Sequence, residues 1–505
     1  MGISSLPPAF LQPADSHILQ PLRKIITMAT SDPLASLEGD MLDVAPGVEV
    51  VNGDIKATSH VERLPNVAET CTPELKANGN GHKVQECDVL VVGAGFSGVT
   101  AIHRFRKLGL SVKCFEKGED FGGTWFWNSY PGARVDSEVP FYQLNIPEVY
   151  NTWNFSQRFP GHEELKQYFA HADKVLDLRK DVTFSAQVVD CSWDEPTGRW
   201  TVKTADGHVA NSKYLFLGTG ALHRKYTPDF PGVQDFKGQL VHSAFYPQDL
   251  DCTGKKIAVI GAGSTGVQIQ QELGKVASQM TVFIRRPSYC LPMGQRVMTE
   301  DEQLSWQSYY PTLFASARKS LFGLPAAGVD KSATDVTEED RLKLWNMLWS
   351  RGAFSLLLLG YNDLLFNPVS NRLVYEYWAR KTRQKLTDPK KQAIMVPEVP
   401  PYHFGTKRTP LENGYYDVLN QDHVSIVDLN ANPVKAFEET GVRTSDGELR
   451  EFDVVILATG FDSFTGSLTN MGLKSKDGKD LQELWKDGIF TYLGLTISGF
   501  PNCFM

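Results

Sequence analysis

Two glycine-rich hexapeptides constrain this chain more than any other feature: Gly93-Ala-Gly95-Phe-Ser-Gly98 and Gly261-Ala262-Gly263-Ser264-Thr265-Gly266, each directly after a short hydrophobic run. The runs, Asp88-Val-Leu-Val-Val and Lys256-Ile-Ala-Val-Ile, lack polar alternation. That is the pattern of a parallel strand buried on both faces. Helical spacing follows each turn, at Val99, Ile102, Phe105 and Leu108 before Gly109, and from Val267 to Leu273. Second strands come next, at Val112-Lys-Cys-Phe and Thr281-Val-Phe-Ile. The sequence therefore predicts an α/β fold containing two Rossmann-like βαβ units. In such a turn the first glycine makes the bend, the second leaves room for a pyrophosphate, and the third lets helix and strand pack closely. Phosphates then lie on the helix N-terminus, where free N–H groups and the dipole favour anions. Gly93, Gly95 and Gly98, and the run Gly261 to Gly266 with Val267, are the expected cofactor contacts.

The residue ending each second strand separates two ligands. Glu116 ends the first. A carboxylate there bonds a ribose 2′-hydroxyl and repels a 2′-phosphate, so FAD fits. Arg285-Arg286 ends the second, and guanidinium groups suit the 2′-phosphate of NADPH.

Around these units the chain divides into four parts. Residues 1–85, rich in Pro, Ser, Asp and Asn without a sustained period, read as a disordered or loosely docked extension, with Met28 as an alternative start. Residues 86–222 read as the first part of an FAD domain, and 223–457 as an NADP domain. Residues from about 296 to 395, with Trp, Leu, Arg and Lys at helical spacing, interrupt the NADP domain as a mostly helical insertion. Residues 458–505 return to the FAD domain. A net charge of -8 argues against nucleic-acid binding, which needs a basic face. Seven cysteines without a Cys-x-x-Cys pair exclude a redox dithiol and a metal framework, and point to a reducing, cytoplasmic setting. The longest apolar run, Phe354 to Tyr361, is far short of the roughly 20 residues of a membrane span.

Three further segments carry a family resemblance. Phe236-Lys-Gly238-Gln-Leu-Val-His242-Ser-Ala-Phe-Tyr246-Pro247 resembles the linker fingerprint of class B flavin monooxygenases, with Tyr246 where the Baeyer–Villiger branch usually has Trp. His242 reads as an organiser of that linker. Gly122-Gly-Thr124-Trp125-Phe126-Trp127-Asn-Ser-Tyr-Pro-Gly-Ala-Arg134-Val135-Asp136-Ser137 resembles the flavin-side segment of Baeyer–Villiger monooxygenases of the fungal type. Phe404-Gly-Thr-Lys407-Arg408 resembles that family's Lys-Arg pair after the insertion. The resemblance implies that Thr124, Trp125, Phe126, Trp127, Asp136, Ser137, Tyr142 and Val188 contact FAD. It also puts Arg134, Val135 and Asp136 near the nicotinamide. Lys407 would support the NADP 2′-phosphate and Arg408 would sit over the flavin.

The activity implied is insertion of one oxygen atom of O2 beside a ketone carbonyl, giving an ester or lactone. Arg408 would stabilise a peroxyflavin and Asp136 would orient Arg408. A terpenoid or polyketide ketone of secondary metabolism is the implied substrate class. Two alternatives stay open: a heteroatom-hydroxylating relative, which Tyr246 favours, and a non-catalytic dinucleotide-binding protein. The family continues several dozen residues past the match at Gly499-Phe-Pro-Asn-Cys-Phe, so the second FAD segment is expected to be truncated at Met505.

Overall fold

The computed structural model describes residues 48–51, 54–57, 84–320 and 322–505. The expected extension and the Met28 start fall outside these residues, apart from an antiparallel pair, Val48–Val51 with Asp54–Ala57.

Two sheets carry the α/β architecture. The first has seven strands, in the spatial order Val182–Thr183, Val112–Phe115, Gln85–Val92, Val209–Leu217, Arg199–Thr204 and Val188–Asp194, with Cys503–Phe504 pairing beside Val209–Leu217. Its Gln85–Val92 strand lies parallel to both neighbours, whereas Arg199–Thr204 runs antiparallel to the strands on either side. The second sheet has five strands, all parallel: Val424–Asp428, Gln279–Ile284, Lys256–Ile260, Val454–Leu457 and Gln239–His242. Val89, Leu90, Val91, Ile257, Ala258 and Val259 are all buried, as unbroken hydrophobic runs in parallel strands require.

Both glycine turns fall where their strands meet a helix. The first feeds the helix Phe96–Lys107, which starts three residues before the first periodic residue, Val99, and ends ahead of Gly109 in left-handed backbone. The second feeds Ser264–Leu273. The third glycine of each turn is dictated by contact. A Cβ on Gly98 would lie 1.9 Å from the Gly93 carbonyl oxygen, and one on Gly266 would lie 2.3 Å from that of Gly261.

Between the second sheet's strands sits the helical insertion, with helices Glu300–Gln307, Tyr310–Ala317, Glu338–Arg351, Ser355–Leu358, Pro368–Lys385 and Pro389–Met395. Thr299, Thr337, Asn367 and Asp388 cap four of them, each accepting backbone N–H bonds. The chain entering the insertion pairs with the chain leaving it: Leu291–Pro292 lies parallel to Leu411–Glu412. No helix among the described residues is long and apolar enough to cross a membrane.

The third glycine can be told apart from an open one by substitution. Gly98→Ala should cost about 3 kcal/mol or more in denaturant unfolding, because the obstructing atom is backbone. Gly263→Ala, whose Cβ would meet nothing within 4 Å, should cost under about 1 kcal/mol. Equal losses would refute the contact argument.

Candidate active site

The first turn closes on its own strand ends. Gly93 N donates to Phe115 O at 2.8 Å, which brings Glu116 under the turn. The Glu116 side chain is buried and accepts from Ala94 N and Gly118 N, both at 2.6 Å. Burial lifts its carboxyl above the ordinary range, against the pull of those two donors. One bond per carboxylate oxygen leaves lone pairs for ribose hydroxyls. Gly95 and Gly263 precede helices that have no side-chain cap and no acidic residue in the first turn, so both sets of amides are available to an anion.

The two second glycines differ. A Cβ on Gly95 would come 3.3 Å from the Cα of Gly123, so its bareness accommodates the Gly122–Trp127 segment folded over the turn. Gly122 N also donates to Ala94 O. Gly263 faces open space instead.

The folded-over segment is an aromatic cluster. Trp125 Nε1 donates to Tyr142 OH at 3.0 Å, and Tyr142 meets Phe96 edge-on at 5.4 Å between centroids. Burial pushes the Tyr142 hydroxyl up to about 12. Phe126 packs edge-on against Trp127, which meets His223 and Phe245. Burial, with Lys117 alongside, holds His223 down to about 4, so the ring is neutral at neutral pH. Thr124 is exposed at the start of this cluster. Val188 lies apart from it, at the start of an outer strand, buried with Phe115 and Leu217.

From Tyr130 onward the chain turns to the second unit. Tyr130 OH donates to Gln268 Oε1 at 2.9 Å, and Gln268 Nε2 donates to Arg134 O at 3.1 Å. Gln268 belongs to the helix that follows the second turn, so this amide joins the two units. Arg134 Nη1 donates to Gln157 Oε1 at 3.2 Å, while its buried Nε has no partner. Val135 is buried in the core.

Asp136 and Arg408, 272 residues apart, form a bidentate ion pair: Nε to Oδ2 at 2.7 Å and Nη2 to Oδ1 at 2.6 Å. Ser137 Oγ lies 3.5 Å from Nη2. Partial burial pulls the guanidinium's pKa down, but Asp136 outweighs it and holds Arg408 above its ordinary value. The side chain is still 63% exposed, with one face 5.1 Å from the Phe354 ring centroid. Lys407 points elsewhere. Its ammonium lies 4.7 Å from the Tyr402 ring centroid. Burial, then the charges of Arg286 and Arg285, depress its pKa. The structure thus gathers Arg285, Arg286 and Lys407 into one cationic cluster at the end of the Gln279–Ile284 strand.

His242 is a connector. Its Nδ1 accepts from Ala244 N at 3.1 Å, so Nε2 carries the proton and points to Tyr226 O at 3.2 Å. Tyr246 is buried with its hydroxyl 3.5 Å from Cys252 Sγ. Sequence reasoning missed Phe354, Tyr402 and Gln268, which touch the expected residues only through tertiary contacts. It also missed Asn371, whose amide bonds Phe404 N and O and so holds the loop carrying Lys407 and Arg408.

Residues 86–309 match the family described as flavin-binding monooxygenase-like. Over 420 residues the chain is 44% identical to an FAD-binding monooxygenase of Aspergillus aculeatus, an alignment covering 83% of this chain and 71% of that one. It is 38% identical to a cyclopentanone 1,2-monooxygenase of Comamonas sp., over 82% of this chain and 76% of that one. Its fold matches a steroid monooxygenase solved with NADP at a TM-score of 0.79 and 37% identity, covering 83% of this chain and 80% of that one. Similar in sequence to these relatives and in fold to that structure over most of its length, this chain belongs to the flavin-binding monooxygenase family.

Proposed function

We propose that this protein is an FAD- and NADPH-dependent monooxygenase of the Baeyer–Villiger type, inserting one oxygen atom of O2 beside a ketone carbonyl to give an ester or lactone. The observation that carries the reading is the bidentate Asp136–Arg408 pair, a fixed cation beside the aromatic segment that folds over the first turn. The relative named for cyclopentanone supports a ketone as the substrate class.

The residues fit both cofactors. Glu116, the amides after Gly95 and the segment Thr124 to Trp127 would hold FAD, with Ser137 and Tyr142 at its reactive end and Val188 farther out along the sheet. Ser264, Thr265 and the amides after Gly263 would hold the NADPH pyrophosphate, in space a side chain at Gly263 would fill. Arg285, Arg286 and Lys407 would hold its 2′-phosphate, and Arg134 and Val135 would border the nicotinamide. Bound FAD, reduced by NADPH, supplies the activated oxygen.

What the protein adds is charge, position and dryness. Arg408 stays protonated at any working pH. It would hold the negative charge that develops on the carbonyl oxygen as the ketone is attacked. Asp136, bonded to two of its nitrogens, fixes the plane and direction of that charge. Trp125, Tyr142 and Phe96 exclude water from the flavin side. The cationic cluster lowers the cost of bringing a phosphate dianion to the second turn and leaves NADH without an equivalent gain.

Arg408→Ala should lower ester formation from cyclopentanone by about 10²-fold or more, while NADPH still reduces the flavin. Product analysis and stopped-flow absorbance measure the two separately, and ester formation near the wild-type rate would remove Arg408 from the reaction. A wild-type enzyme that oxidises a thioether but no ketone would replace this reading with heteroatom oxygenation. The double variant Arg285→Ala/Lys407→Ala should raise KM for NADPH by about tenfold or more, the loss expected of a charge-assisted contact. KM for NADH should stay close to its wild-type value. Equal losses for the two cofactors would refute the phosphate assignment.

A further inference from the structure

Arg158 lies outside every motif discussed above, yet its guanidinium is spent on three separate parts of the chain. Its side chain is 11% exposed. Nε donates to Glu138 Oε2 at 2.6 Å, and Nη2 lies 2.5 Å from the same oxygen. Nη1 donates to Gly294 O at 3.1 Å and to Arg351 O at 3.0 Å. The backbone of the same residue repeats the pattern: Val139 N donates to Arg158 O, and Arg158 N donates to Arg296 O, both at 3.0 Å.

Each tether ends close to the Asp136–Arg408 pair. Glu138 is two residues beyond Asp136. Gly294 follows the Leu291–Pro292 strand, which is paired with Leu411–Glu412 just after Arg408, and Met293 N donates to Glu412 O at 2.9 Å. Arg351 lies three residues before Phe354, whose ring faces the Arg408 guanidinium. The chain around Arg158 is shaped to admit it. Gly294 and Gly352 both have left-handed backbone, and a Cβ on Gly294 would come 3.0 Å from Arg158 Nη1 and 2.9 Å from Arg351 O. Ala353, also left-handed at φ 56°, donates to Met293 O and delivers Phe354. A non-glycine residue keeps that conformation only where its surroundings impose it.

We propose that Arg158 is a positioning residue: through Glu138, Gly294 and Arg351 it locks the segments carrying Asp136, Arg408 and Phe354 into one frame. The ion pair at the site is open to solvent on its Arg408 side, and such a pair is too weak to hold two distant loops by itself. The frame holds them. The catalytic half of this inference rests on the reaction proposed above, and its structural half does not.

The test uses the FAD-loaded full chain with Arg158→Met, which keeps the stem and removes every side-chain hydrogen bond, and with Arg158→Lys, which keeps the Glu138 charge pair but cannot reach all three acceptors. Hydrogen exchange read by mass spectrometry should show amides of residues 404–410 and 351–355 exchanging about tenfold faster in Arg158→Met, with strands Gln85–Val92 and Lys256–Ile260 unchanged. With cyclopentanone as probe, ester formed per NADPH consumed should fall by about tenfold or more, peroxide replacing it, while KM for NADPH and the rate of flavin reduction stay within about threefold. Arg158→Lys should fall between wild type and Arg158→Met in both readouts. Unchanged exchange at 404–410 would overturn the proposal, as would uniform loosening of both sheets or faster local exchange with unchanged coupling. A wild-type enzyme that forms no ester would sink the reaction reading, while the exchange arm would still decide whether Arg158 holds the frame.

Discussion

The Asp136–Arg408 pair joins two loops that the chain separates by 272 residues, with its arginine side open to solvent. An exposed ion pair is worth roughly 0–1 kcal/mol. That is less than the cost of ordering the loops it joins, since fixing one residue's backbone costs about 1–2 kcal/mol. The geometry therefore has to be imposed from outside. Three contacts do so on the Arg408 side. The Leu411–Glu412 strand is paired to Leu291–Pro292, the buried Asn371 amide holds Phe404, and buried Glu412 accepts from Lys385 Nζ and from the amides of Gly414 and Tyr415. On the Asp136 side, backbone bonds from Val135 N to Pro160 O and from Val139 N to Arg158 O bracket the carboxylate. The Arg408 charge is held by backbone and buried amides, and the ion pair itself sets only its final direction, as the proposed reaction requires of a charge that must not reorganise.

Charge is distributed to match. The chain is acidic overall, yet Lys407 lies within electrostatic reach of Arg286 and Arg285 at one strand end, where burial first and then those two charges disfavour its protonated form. Mutual repulsion of this kind is relieved by an anion. The opposite choice is made at Glu116, a buried carboxylate supported only by backbone amides. It offers acceptors to hydroxyls and rejects phosphate. Under the proposed reading the same βαβ frame distinguishes two dinucleotides through the residue at the end of one strand.

The parts legible in the sequence were those in which local pattern and tertiary role coincide. Val89 to Val92 and Ile257 to Ile260 are buried on both faces, so their hydrophobic runs announce themselves, and the steric demand at Gly98 and Gly266 is local to each turn. The strands Val188–Asp194 and Arg199–Thr204 were harder, because only one face is covered. Trp200, Val202 and Thr204 alternate with more exposed neighbours, a weaker signal over six residues. In the insertion, Trp and Leu at helical spacing gave helices but not their packing. Phe354 sits in an apolar run whose purpose appears only when the chain returns Arg408 to it. Arg158 and Asn371 carry no motif at all: a guanidinium bonded to carbonyls more than 130 residues away has no sequence signature.

The clearest difference between the two units lies in their second glycines. Both satisfy the same pattern, and the pattern implies the same use. In the first turn the bare Cα of Gly95 is covered by Gly123, and the aromatic segment from Trp125 to Trp127 follows directly, so a ligand there is enclosed by the chain itself. In the second turn Gly263 and Ser264 face open space. Under the proposed reading this asymmetry is functional. A cofactor that stays through many cycles gains from enclosure, which removes water from its reactive face. A cofactor that arrives reduced and leaves oxidised needs an open path, and a charge cluster at the rim to capture it. One glycine is bare to admit a neighbouring segment and the other to admit a visitor, and only the tertiary contact distinguishes them.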